Sequence, residues 1–115
     1  MSYLLQYARR SDSVAPRARG ARLDERTPLN RPGLYGDAYV RVLVGRRRRG
    51  RHPRLELQIA DCVNTINLEF SLVTPQLREN SLFKIDTLLG ALQRFRDALA
   101  LEAELAEGRE RARAR

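Results

Sequence analysis

The sequence predicts an α+β fold: a three-stranded antiparallel meander followed by one long amphipathic helix, in the order β-β-β-α. Three observations carry this expectation. Three segments between residues 38 and 72 alternate apolar and polar residues, the period of a half-buried strand. Beyond residue 74 the apolar residues recur at three- and four-residue steps, the period of a helix face. A length of 115 residues leaves room for one domain.

The first strand is Ala38–Val44, with Val40, Val42 and Val44 on one face. Gly45 to Pro53 then forms a nine-residue arginine-rich connection. In the second strand Leu55, Leu57 and Ile59 alternate with Glu56, Gln58 and Ala60. After a loop at 61–64, Ile66, Leu68, Phe70 and Leu72 alternate with Thr65, Asn67, Glu69 and Ser71. Antiparallel pairing about that loop sets Leu55 opposite Phe70, Leu57 opposite Leu68, and Ile59 opposite Ile66. Glu56 and Glu69 then face each other on the outer side. A slip by one residue would mix the two faces, so the pattern selects this register.

Thr74 and Pro75 read as an N-cap and a first helical residue, with Ser81 offering a rival start. Leu82, Ile85, Leu88, Leu89, Leu92, Phe95 and Leu99 then form a wide apolar stripe. The pattern continues through Ala103 and Ala106 and is expected to stop at Gly108. A helix from Pro75 to Glu107 spans about 50 Å, whereas an eight-residue strand spans about 26 Å. Lying across one face of the meander, the helix would overhang it and leave Leu99, Leu101 and Leu105 uncovered. A folded unit of ~70 residues also buries little surface. The expectation is therefore a homodimer formed through Leu92, Phe95, Leu99 and Leu105. A partner protein on the overhang, or a helix broken near Gly90, are the alternatives.

Charge divides the chain more sharply than hydropathy. The net charge is +8 with a pI near 10.9, and Lys84 is the single lysine among 22 basic residues. Residues 1–54 hold 14 arginines against four acids, a net of +10, while residues 55–108 carry −5 and residues 109–115 carry +3. The organisation expected is an Arg/Pro-rich arm at 1–36, a βββα domain at 37–108, and a basic tail at 109–115. Within the arm, Pro16, Pro28 and Pro32 with Gly20 and Gly33 oppose a continuous helix or a central strand. Such a segment is disordered alone, or docked on a partner.

Several function classes fall away. One cysteine, Cys62, permits no intramolecular disulfide and no Cys-rich metal site. Cys62 also lacks a nearby base, since the one histidine, His52, lies in a different loop between Arg51 and Pro53. Glu56 and Glu69 have no third acid or His beside them, and Arg41 is placed to neutralise Glu56, so an ionic surface is the better reading. No glycine-rich phosphate loop or nucleophile elbow occurs. No apolar run nears the ~18 residues of a membrane span, and the first ten residues place charge after the apolar stretch, the reverse of a secretory signal. A soluble, cytoplasmic, non-enzymatic protein without cofactor or metal is expected.

What remains is the basic run. Arg46, Arg47, Arg48, Arg49, Arg51 and Arg54 put six like charges in nine residues at a hairpin tip. Bound to phosphates they would release counterions and gain salt-dependent affinity, and a hairpin tip has a shape that enters a groove. Arg17, Arg19 and Arg22 of the arm would extend the footprint. Phe70, Phe83 and Phe95 lie on or beside the apolar stripe rather than on a stacking platform. Contact is therefore expected with nucleic-acid phosphates at low sequence specificity. The alternative is a protein-interaction or assembly component, phage-encoded, host-modulating or structural, whose arginine-rich arm docks on an acidic partner surface. Tyr3, Leu4, Leu5 and Tyr7 form an apolar patch suited to such docking.

The stretches Leu57-Gln58-Ile59-Ala60-Asp61-Cys62, Ile66-Asn67-Leu68-Glu69-Phe70 and Asn80-Ser81-Leu82-Phe83-Lys84-Ile85-Asp86-Thr87-Leu88 resemble small uncharacterised proteins of actinobacteria and their phages. The resemblance covers about residues 38–100 and implies no activity, cofactor or site residue.

Overall fold

A computed structural model describes residues 20–34 and 36–115 as an antiparallel sheet and one long helix. The chain divides after Val73 into a sheet unit and a helix unit. The sheet has four strands in the order β1-β2-β3-β4: β1 Leu23–Pro28, β2 Ala38–Val44, β3 Leu55–Asp61 and β4 Asn64–Leu68. The helix, α1, runs Pro75–Arg113. Residues 1–19 and Tyr35 lie outside the described residues, so the expectations for Tyr3 to Tyr7, Arg17 and Arg19 fall there.

The β3–β4 hairpin has the expected register, with Leu57 opposite Leu68 and Ile59 opposite Ile66. Its turn is tighter than four residues. Asp61 pairs with Asn64, leaving Cys62 and Val63 at the tip. Cys62 has φ 55, the positive value that the first central residue of a type II′ turn requires. Its N–H donates to the Asp37 carbonyl at 2.9 Å, which anchors the turn beside the start of β2. The far end is shorter than expected, because β4 ends at Leu68. Leu55 therefore has no partner in Phe70, and Glu69 lies beyond the ladder.

The strand that was not expected is β1. Its sequence, Leu-Asp-Glu-Arg-Thr-Pro, has almost no apolar period, and its pairing with β2 is held by polar side chains instead. Arg26 stands directly opposite Arg41, two like charges across the ladder. Each swings to a diagonal neighbour. The Arg41 guanidinium reaches the buried Asp24 carboxylate at 3.5 Å, and the Arg26 guanidinium sits 3.9 Å from the centre of the Tyr39 ring. The Tyr39 hydroxyl in turn donates to Gln58 on β3 at 3.0 Å. Pro28 fits because β1 is an edge strand and Pro28 is its last residue.

Among the described residues the buried apolar side chains are Ala38, Leu43 and Ala60. Leu43, 2% exposed, shares its face with Asp24, Arg41 and Ala60, the face that alternation marks as outer. Val40, Val42, Val44, Leu55, Leu57 and Ile59 are half-buried, and Ile66 is exposed.

In α1 the Thr74 side chain accepts from the Leu77 N–H at 3.1 Å, and Pro75 occupies the first turn, as the sequence predicts. Neither glycine breaks the helix. It passes through Gly90 and through Gly108, the expected stop, to end at Arg113. A glycine costs about 1 kcal/mol inside a helix, and the Ala, Glu and Arg around Gly108 are good helix formers. Arg111 and Arg113 in the last turn also suit the negative end of the helix dipole. The segment read as a basic tail is therefore helical.

Two substitutions test these assignments. Arg41→Met removes the guanidinium 3.5 Å from the buried Asp24 carboxylate and should lower the unfolding free energy by about 2 kcal/mol. Urea denaturation measures the loss, and faster amide exchange in Leu23–Pro28 should accompany it. Cys62→Asn keeps a side chain but suits positive φ better, and should raise stability by about 0.5 kcal/mol. An unchanged or lower urea midpoint would count against strain at this turn.

Candidate nucleic-acid interface

The β2–β3 register does not stop where the strands do. Val44 faces Leu55, and one step on the Gly45 N–H donates to the Arg54 carbonyl at 2.7 Å. Three steps further Arg48 bridges Arg51, whose N–H donates to the Arg48 carbonyl at 2.9 Å. All three pairs share one register, so residues 45–54 form a finger of two antiparallel segments with Arg49 and Gly50 at the tip. Gly50 has φ +67, while Arg49 is not among the positive-φ residues, which is the type II pattern. The neck is equally specific. A Cβ on Gly45 would lie 3.2 Å from the Arg54 backbone nitrogen, a main-chain neighbour that cannot swing away.

This geometry gathers the predicted arginines rather than scattering them. An open cleft of about 370 Å³ is lined by Arg46, Arg48, Arg51 and Arg54, with His52, Leu43, Gly20, Ala21 and Gly45. Arg46, Arg47, Arg48, Arg49 and Arg51 are all exposed. Arg54 is partly neutralised by Glu56, whose carboxylate lies 3.3 Å from its guanidinium. Arg22 is exposed, and its backbone N–H donates to the Val44 carbonyl at 2.8 Å, which brings this arm residue to the base of the finger. Gly20 and Ala21 were not legible as wall residues, because nothing in their identity marks them.

The two carboxylates read as facing partners do not meet in the ladder. Glu56 pairs with Arg54 rather than with Arg41, and Glu69 lies past the end of β4. Cys62 is an exposed free thiol at the opposite end of β3 from the finger. Among the described residues no group of three His, Cys, Asp or Glu side chains could hold a metal ion. Among the described residues no aromatic ring lines the cleft: Tyr39 is half-buried beneath Arg26, and Phe83 and Phe95 belong to the helix. The arrangement can therefore offer guanidinium donors and positive potential to an anion, and little stacking.

No helix among the described residues is long and apolar enough to cross a membrane. No protein-family model, no curated protein and no solved structure matches this chain.

Proposed function

We propose that this chain is a small, cytoplasmic, non-enzymatic binding protein that grips nucleic-acid phosphates through the arginine finger at residues 45–54. One observation carries the reading: a continuous β-register holds Arg46, Arg48, Arg51 and Arg54 around a single cleft. Guanidinium groups pair with phosphate oxygens in bidentate fashion, and their mutual repulsion in the free protein is relieved when a polyanion binds. A two-stranded ribbon also has dimensions that a major groove admits. Among the described residues the cleft offers no aromatic ring on which bases could stack, and its guanidinium groups suit phosphate oxygens, which supports backbone contact at low specificity.

The test is a salt titration of binding to duplex and single-stranded oligonucleotides. The logarithm of affinity should fall linearly with the logarithm of salt, with a slope of roughly −3 to −5 for the finger. Replacing Arg46, Arg48 and Arg51 with Gln should weaken all sequences about equally and flatten the slope by about 2 to 3. Deleting residues 1–19, which carry four further arginines, should subtract a separate increment while sparing β1. Absence of binding at low salt, or an affinity indifferent to both changes, would sink this reading. Salt-sensitive capture by an acidic protein, with none by nucleic acid, would point instead to an arm that docks on a partner.

A further inference from the structure

We propose that His52 is a further cationic contact of the arginine cleft, engaged as imidazolium, so that phosphate binding takes up a proton. This rests on the reading of the finger as a phosphate site and adds to it a dependence on pH.

The finger fixes where His52 sits. The residue lies between two backbone hydrogen bonds, from the Arg51 N–H to the Arg48 carbonyl at 2.9 Å and from the Gly45 N–H to the Arg54 carbonyl at 2.7 Å. Pro53 follows it directly, and a residue before proline is biased away from helical backbone. His52 is exposed and lines the same cleft of about 370 Å³ as Arg46, Arg48, Arg51 and Arg54.

The charged groups around that cleft come from three elements. On the finger the four guanidinium groups stay charged at every working pH. On β3 the Glu56 carboxylate lies 3.3 Å from the Arg54 guanidinium. On the β1 side Arg22 is tied to Val44 at the base of the finger, and Asp24, opposite Leu43 in the ladder, is engaged by Arg41 at 3.5 Å. Of the residues that line the cleft, His52 is the one whose side-chain type changes charge between pH 5 and 8.

A phosphate seated among these groups brings negative charge within reach of the imidazole, and a nearby opposite charge favours the protonated ring. The protonated ring also offers two N–H donors where the neutral ring offers one. The complex therefore holds a proton that the free protein binds less tightly. By linkage, affinity is greater at lower pH and is lost as pH rises through the titration of His52 in the complex. Phosphodiesters keep one charge throughout this range, so the ligand adds no pH dependence once terminal phosphates, which titrate near pH 6, are left off.

The experiment titrates hydroxyl-ended duplex and single-stranded oligonucleotides with the untagged full chain at pH 6, 7 and 8. Affinity should rise about fivefold from pH 8 to pH 6, and the salt slope should steepen by up to about 0.9 over the same interval. His52→Gln should erase both effects. His52→Arg should hold affinity at every pH at or above the native value at pH 6, a rescue that a merely structural role does not give. His52 is the one histidine of the chain, so its ring-proton resonance reports directly, and its titration midpoint should move to higher pH when oligonucleotide is added. Salt-dependent binding that stays flat from pH 6 to 8 would overturn the role of His52 and leave the finger reading standing. A pH dependence retained in His52→Gln would do the same, as would a midpoint that binding leaves in place or lowers. Absence of binding at every pH and at low salt would remove both.

Discussion

The antiparallel register of β2 against β3 is the constraint on which the rest of the sheet depends. It places Leu43 and Ala60 where they are buried and offers β1 and β4 an edge on either side. It then continues past the last ladder residues to fix the finger. Residues opposite each other in an antiparallel pair have Cα atoms about 4.5–5.5 Å apart. Once Gly45 and Arg54 are bonded, the arginines beyond them cannot spread as they would in an open loop. The sheet thus supplies free energy that holds like charges together, and Glu56 beside Arg54, salt or an external anion relieves them.

The two faces of the sheet follow different physical logic. One face is aliphatic and half-buried, carrying Val40, Val42, Leu57 and Ile59. The other carries the deepest side chain, Leu43, within a polar lattice of diagonal contacts, Asp24 with Arg41 and Arg26 with Tyr39. A buried carboxylate held by a guanidinium adds little net stability when intact, but removing one partner is expensive. That asymmetry makes the lattice a device for fixing strand register: a shifted β1 would bury Asp24 away from Arg41.

This also explains what could be read from residues alone. β2, β3, the β3–β4 register and the Thr74 cap were legible because apolar alternation and capping chemistry are local signals. β1 was not, since Leu23–Pro28 is recruited by Arg41 and Tyr39, partners that hydropathy does not see. The helix end was misplaced because Gly108 stops a helix only when the chain takes the left-handed turn there, whereas the surrounding Ala, Glu and Arg favour continuation. For the finger, composition named the arginines correctly. The shared register of Gly45–Arg54 and Arg48–Arg51 required backbone hydrogen bonds to be seen, because a run of arginines has no period.

The order of the strands in space is their order along the chain, and this bears on how fast the sheet assembles. Every pairing closes across a local connection, and topologies rich in local contacts fold quickly. The β1–β2 and β3–β4 closures carry few charges, but the middle one draws six arginines into a single finger. Its barrier therefore contains more like-charge repulsion than the β1–β2 closure, which brings Arg26 opposite Arg41 but sets Asp24 beside them. Raising ionic strength shortens the Debye length from ~10 Å at 0.1 M to ~3 Å at 1 M, which lowers that repulsion most. A polyanion present while the chain folds acts in the same direction, as a template on which the central hairpin closes.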